Sequence, residues 1–339
     1  MSIDVIFTGG TIGSRVDQRG YLSTEKGQNY VVLEQFKGRC SDQLQQIPGV
    51  FRIHEPYQIL SENLSWKELN ILIQTVQTVL AQPDTEGIII THGTDTLAYT
   101  AAVLSYAFPA AAVPILLVSS NYGLHDARAN GLANFNGAYQ WISQRKKPGV
   151  YVSYTNPGDS TRIHYGTRIN KSLGCTDAIY SILDTWLARV NGSDIEENPS
   201  CLCTGETGNV PWTAPVMADC GRQILPVYPN PFMSYPEIGA EVQVILLDSY
   251  HSGTLAVNEK LQEFCKKAQE RNIPIFLIGL DQRETAYETV AAYDALGIFP
   301  VETSAWIAQY MKAAVALSNG ADIRTIMQIP IAQDLIPRG

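Results

Sequence analysis

The chain has 339 residues, 45% of them apolar and 17% charged, with a formal net charge of -9. This length and composition fit one large globular domain or two of ordinary size around a sizeable core. The acidic balance excludes a basic nucleic-acid-binding surface and reads as solubility. Arg145-Lys146-Lys147 is the single cluster of three cations, and it reads as a solvated helix end. No apolar run reaches about 18 residues, so no membrane-spanning helix is expected. The opening Met1-Ser2-Ile3-Asp4 lacks a basic signal region, and a cytoplasmic protein is expected.

In chain order, Ile3 and Val5 to Phe7 form a short apolar strand that runs into Thr8-Gly9-Gly10-Thr11-Ile12-Gly13. Leu69, Leu72, Ile73, Val76, Val79 and Leu80 recur at helical spacing, predicting a helix over 66–80 with Ser65 as N-cap. Gly87 to Thr91 and Val113 to Val118 are apolar runs without alternation, as strands buried on both faces read. Between them, Leu97 to Phe108 is rich in Ala and Leu and predicts a helix. The alternation argues for a parallel sheet covered on both sides. The pattern dissolves from Val190 to about Arg222 and then returns. Strands are expected at 242–247 and 274–278, with helices at 257–271, around 285–296 and at 304–317. The expected architecture is α/β: a larger N-terminal parallel-sheet domain (1–190), a linker (191–222) and a smaller C-terminal α/β domain (223–339).

The six cysteines, Cys40, Cys175, Cys201, Cys203, Cys220 and Cys265, are scattered as reduced thiols are. Cys201-Leu202-Cys203 with Cys220 matches no common zinc spacing and has no His nearby, so no metal is expected.

Chemistry is expected beyond the carboxyl ends of the strands. Two stretches fall there: Thr8-Gly9-Gly10-Thr11 and Thr91-His92-Gly93-Thr94-Asp95-Thr96. Neither spells a phosphate-binding loop, since the Lys of GxxxxGK[ST] and the GxGxxG spacing are both missing. What is left is hydroxyls and a carboxylate in a glycine-rich pocket, suited to attack by Thr on a polar substrate. A Thr hydroxyl needs a group to take its proton. His92 reads as a hydrogen-bonded core residue, which leaves a Lys as the available base. Gly166-Thr167-Arg168-Ile169-Asn170-Lys171-Ser172 offers one.

Together these stretches make the chain resemble the bacterial-type L-asparaginases (the asparaginase/glutaminase family), closer to the cytoplasmic type I, over nearly its whole length. The resemblance rests on Thr8-Gly9-Gly10-Thr11-Ile12-Gly13, on His92-Gly93-Thr94-Asp95-Thr96-Leu97 and on Lys171 beyond them. It implies a small-molecule amide substrate, hydrolysis of L-asparagine to L-aspartate and ammonia in asparagine breakdown, glutaminase side activity, and no cofactor. Thr11 matches the nucleophile and Tyr21 the loop tyrosine that hydrogen-bonds it. Thr94, Asp95 and Lys171 match the second triad. Ser61 matches the group that binds the substrate α-carboxylate, while Glu62 and Asp95 match the carboxylates on its ammonium. The family's assembly implies a homodimer or homotetramer, with Thr254 and Glu284 (Glu288 behind it) as candidates contributed by a second protomer.

The chain departs from the usual pattern after Lys171, where only Asp177-Ala178 follows it closely. It departs again at Ser119-Ser120-Asn121-Tyr122-Gly123, which replaces the commoner Gly-Ala/Ser-Met/Gln wall beside the substrate, with Ser120 the expected contact. It departs also at Thr254, where Asn is usual. A different amide substrate on the same scaffold, a component of a tRNA-linked amidotransferase, and an inactive binding or sensing homologue are the alternative readings.

Overall fold

A computed structural model describes residues 2–16, 22–23, 30–42, 50–170, 176–203, 207–279 and 287–336. Expected site residues Tyr21, Lys171 and Glu284 lie outside the described residues. The chain divides into two compact units, Met1–Cys201 and Leu202–Gly339.

The first unit holds strands β1 (Ser2–Phe7), β2 (Arg15–Val16), β3 (Leu22–Ser23), β4 (Val50–His54), β5 (Thr85–Thr91), β6 (Pro114–Val118), β7 (Gly149–Thr155), β8 (Thr161–Tyr165), β9 (Ala188–Asn191) and β10 (Asp194–Glu197). Its helices are α1 (Val31–Asp42), α2 (Trp66–Leu80), α3 (Leu97–Ala107) and α4 (Gly131–Gln144). Eight strands form one sheet in the order β10-β9-β8-β7-β6-β5-β1-β4. The run from β7 to β4 is parallel, whereas β8, β9 and β10 add antiparallel at one edge. β2 and β3 pair separately.

The central strands are buried on both faces, which is why they read as unbroken apolar runs. Ile3, Val5, Phe7, Ile89, Leu116 and Val118 join Val32, Phe36, Phe135 and Trp141 of α1 and α4 in one core cluster. Helix α2 spans the expected residues. Ser65 caps it in a complete capping box with Glu68, and Leu69, Leu72, Ile73, Val76 and Val79 form its buried stripe. Arg145, Lys146 and Lys147 follow the last turn of α4 and are exposed.

The expected linker needs correction at its start. Residues 188–197 form the β9–β10 hairpin of the large sheet, turning through Gly192-Ser193 with Gly192 at φ 59°. Its outward positions are polar because it lies at the sheet edge, and that hides it from an apolar-run reading.

The second unit carries β11 (Ile224–Val227), β12 (Val244–Leu247), β13 (Ile275–Leu277) and β14 (Ile298–Pro300) as a parallel sheet in sequence order. Helices α5 (Glu259–Glu270), α6 (Trp306–Ser318) and α7 (Ile323–Ile326) accompany it. The expected helix at 285–296 is, in its described part, a 3-10 stretch at Glu288–Ala292 followed by turns. Successive i→i+3 bonds (Val290 to Tyr287, Tyr293 to Val290, Leu296 to Tyr293) wind it tightly over the buried Tyr293. A buried ion pair, Lys312 Nζ to Asp334 Oδ2 at 2.7 Å, ties α6 to the segment after α7.

Candidate active site

Strand register positions the site. Phe7 pairs with Thr91, and Thr91 pairs with Val118. The next residues, Thr8, His92 and Ser119, therefore leave β1, β5 and β6 side by side at the carboxyl edge, where a doubly covered sheet offers its crevice.

The first loop is built on close backbone approach. Gly10 N–H donates to Ile59 O (3.1 Å) and Ile59 N–H to Thr8 O (3.1 Å), while the Thr8 hydroxyl donates to Thr91 O (2.6 Å). Gly9 and Gly10 have φ of 108° and 79°. A Cβ on Gly9 would lie 2.2 Å from Ile59 O, and one on Gly10 would lie 2.4 Å from Gly93 N. The two motifs, distant in sequence, thus pack backbone against backbone, and only glycine fits. Thr11 follows at the start of a one-turn 3-10 helix, half-buried, with its carbonyl held by the Ser14 N–H (3.2 Å) and hydroxyl (3.0 Å). Among the described residues no group hydrogen-bonds the Thr11 hydroxyl.

The second loop leaves β5 through His92, whose N–H donates to Val118 O at 2.8 Å. Burial pushes the His92 imidazole down to about 4, so the ring is neutral near pH 7. Its Nδ1 lies 2.8 Å from Gly93 O and its Nε2 lies 2.9 Å from Thr100 Oγ1. A neutral ring satisfies both contacts with the proton on Nδ1 and Thr100 donating to Nε2. His92 is therefore a brace behind the loop, as its sequence context suggested. Thr94 is half-buried and Asp95 exposed.

Ser61 meets this loop from a 3-10 turn at Ser61–Asn63. Its hydroxyl donates to Asp95 Oδ2 (3.2 Å), and its carbonyl accepts from the Thr96 hydroxyl (2.9 Å). A Cβ on Gly93 would lie 2.4 Å from Ser61 Oγ. Gly10, Gly93 and Ser61 therefore form one contiguous stack, with the Asp95 carboxylate beside it. Glu62 is exposed on the same turn.

The two serines of the wall after β6 have different partners. Ser120 is buried and its hydroxyl is used locally: it donates to Tyr122 O (2.6 Å) and accepts from Gly131 N–H (3.2 Å). Ser119, also buried, places its hydroxyl 2.6 Å from Thr94 Oγ1. Asn134 on α4 supports it, donating to Ser119 O (2.8 Å) and accepting from Thr155 N–H (2.7 Å). Asn121 and Asn130 pin the rest of the loop through reciprocal bonds to each other's main chain, Asn130 Oδ1 with Asn121 N–H at 2.9 Å and Asn121 Oδ1 with Asn130 N–H at 3.0 Å. The only sequence signal for the Ser119 contact was the unusual wall itself.

In the second unit, Thr254 lies in the loop after β12. Its hydroxyl is 2.7 Å from Ser252 Oγ, and its carbonyl accepts from Tyr250 N–H (3.0 Å). Among the described residues no cluster of His, Cys, Asp and Glu is arranged to hold a metal ion. Cys40, Cys220 and Cys265 are free thiols. No helix of the described residues is long and apolar enough to cross a membrane.

A family model described as "Asparaginase, N-terminal" matches residues 2–200. L-asparaginase 1 of Escherichia coli (strain K12) is 24% identical over 301 residues, covering 81% of this chain and 78% of that one. A glutamyl-tRNA(Gln) amidotransferase component of Methanopyrus kandleri is 28% identical over 202 residues, 58% of this chain, and the match spans only 43% of that longer protein. The structure of the thermostable L-asparaginase from Thermococcus kodakarensis superposes with a TM-score of 0.78 at 24% identity, covering 100% of both chains, and shares the fold.

Proposed function

The chain belongs to the asparaginase family, and from that premise we propose that it is an amidohydrolase cleaving L-asparagine to L-aspartate and ammonia, with Thr11 as nucleophile. The observation that carries the reading is the Gly10–Gly93–Ser61 stack. It brings the loop that carries Thr11 against the loop that carries Thr94 and Asp95, with Ser61 beside them.

The roles follow from charge and chemistry. Asp95, joined by the exposed Glu62, attracts the substrate's ammonium group, and Ser61 turns its hydroxyl from Asp95 to donate to the substrate's α-carboxylate. Thr11 Oγ1 attacks the side-chain amide carbon, and Tyr21 is the proposed relay for its proton. As the C–N bond breaks, that proton passes to the leaving nitrogen, ammonia departs as NH3, and the acyl group stays on Thr11. Water, positioned by Thr94 with Lys171, then attacks the ester; its proton passes to Thr11 Oγ1 and aspartate leaves. The reading needs no cofactor. It extends to glutamine as a slower substrate through Glu62, to a cytoplasmic homodimer or homotetramer, and to Thr254 and Glu284 as groups supplied by a second protomer.

Ammonia release from L-asparagine, L-glutamine and a panel of other amides tests the reading, with Thr11→Ala as control. Turnover of asparagine lost by at least about a thousandfold in Thr11→Ala is the expected result. Near wild-type turnover in that variant overturns the nucleophile. Faster turnover of another amide moves the substrate, the alternative that the unusual Ser119–Gly123 wall and the amidotransferase relative both favour.

A further inference from the structure

Ser119 offers a function for that unusual wall. Its side chain is fully buried, and its hydroxyl has one hydrogen-bonding partner among the described residues, Thr94 Oγ1 at 2.6 Å. A buried O–H left without an acceptor costs more than an unused oxygen lone pair. If Ser119 accepted from Thr94, its own proton would have nowhere to go. The direction is thereby fixed: Ser119 donates and Thr94 Oγ1 accepts. Thr94 Oγ1 then keeps its own O–H as a donor, on a half-buried residue in the loop that leaves β5 at the carboxyl edge.

We infer that Ser119 is a positioning residue of the reaction, which sets the Thr94 hydroxyl as a hydrogen-bond donor toward the reacting groups. This rests on the amidohydrolase reading above. Two features support a built contact rather than a chance approach. Ser119 is the first residue after β6, and the strand pairing of Thr91 with Val118 places it abreast of His92, two residues before Thr94. Its main chain is held by Asn134, which bridges Ser119 O and Thr155 N–H, so the serine cannot drift along the strand end. Accepting one hydrogen bond also polarises the Thr94 O–H and strengthens the bond it donates. That bond counts most where negative charge develops on the substrate or the attacking water, so the benefit belongs to the transition state rather than to substrate binding.

The test is steady-state ammonia release by Ser119→Ala and Ser119→Gly, each alone and in a Thr94→Val background, with thermal unfolding recorded for every variant. Removing the hydroxyl is expected to lower kcat about five- to tenfold with KM changed less than about twofold, as loss of one hydrogen bond used in the transition state predicts. In the Thr94→Val background, where no hydroxyl is left to orient, removing Ser119 is expected to change the residual rate less than about twofold. An unchanged kcat in the single variants overturns the inference. So does an additive loss in the double variants, or a loss that tracks the unfolding temperature instead of the hydroxyl. A wild-type protein silent on every amide overturns the amidohydrolase reading itself, an outcome distinct from an active enzyme indifferent to Ser119.

Discussion

Substituting Gly10 by Ala tests the geometry on which the site rests. Gly10 has φ 79° and ψ 176°, a combination that only glycine adopts readily, so any side chain there costs about 1–3 kcal/mol in backbone strain alone. The added Cβ would lie 2.4 Å from Gly93 N and 2.6 Å from both Gly93 Cα and His92 C. All three are main-chain atoms, and none can rotate away. His92 is itself fixed by its bond to Val118 O (2.8 Å), so relief requires the two loops to part by roughly 1 Å. A misplacement of that size costs on the order of a hundredfold in rate. Gly10→Ala is therefore expected to lower kcat/KM for asparagine by at least about a hundredfold and to shift the denaturant midpoint downward. Gly38→Ala is the matched control. Nothing lies within 4 Å of its Cβ, and it sits inside α1, where Ala is favoured over Gly by about 0.5–1 kcal/mol. It should leave activity unchanged and raise the midpoint slightly. Wild-type activity and midpoint in Gly10→Ala, or equal damage from Gly38→Ala, would refute the packing argument.

Two further outcomes follow from buried charge. In the unfolded chain, His92 and His164 take up a proton near pH 6.5, but burial holds them neutral in the folded state down to about 4 and about 3. The unfolded state thus binds more protons below pH 6.5, so stability is full above that pH and drains away as pH falls from about 6.5 toward 4. For His92 alone the loss approaches roughly 3 kcal/mol. Urea unfolding at pH 7.5, 5.5 and 4.5 reads it, and a flat profile contradicts the assignment. Lys312→Met removes the cation paired with the Asp334 carboxylate, which keeps its bonds from Gln309 Nε2 and Ile331 N–H, and should cost about 3–5 kcal/mol, while Lys312→Met with Asp334→Leu recovers part of it. With Asp334→Leu measured as well, a double-variant loss equal to the sum of the two single losses would show that the pair is not coupled.

Much of the fold is legible in the sequence because its signals are local. Helix α2 is specified twice, by the stripe from Leu69 to Val79 and by the Ser65/Glu68 box, and its bounds match the expectation. The parallel strands β5 and β6 announce themselves by being apolar throughout, a consequence of burial on both faces. The β9–β10 hairpin escapes a search for apolar runs because three of the four β10 residues are exposed and the fourth is only half-buried. Its Gly192-Ser193 turn was the cue, since a two-residue connection with a glycine at positive φ is a hairpin signal in its own right. The region around Glu288 fails differently. Its Ala content favours a helix, yet the ring of Tyr293, buried with its hydroxyl bonded to Leu255 N–H at 2.9 Å, takes the chain into tighter turns.

For the site, the motifs show which residues matter but not what each one touches. Thr8-Gly9-Gly10-Thr11 and His92-Gly93-Thr94-Asp95 are readable because a Cβ on Gly10 would meet the Gly93 main chain and one on Gly93 would meet the Ser61 side chain, so each contact writes a glycine into the chain. Serine carries no such mark. Ser119 and Ser120 are adjacent, equally buried and chemically identical, yet one hydroxyl meets Thr94 and the other closes a loop between Tyr122 and Gly131. What separates them is the two-residue period of strand geometry carried just past the end of β6, combined with the register that sets Val118 against Thr91. A shift of one residue in that register would exchange their roles. The difference between the two serines is therefore a property of strand pairing as much as of side-chain identity. For the same reason Ser120, the expected substrate contact by position in the motif, spends its hydroxyl on the loop while its neighbour faces Thr94.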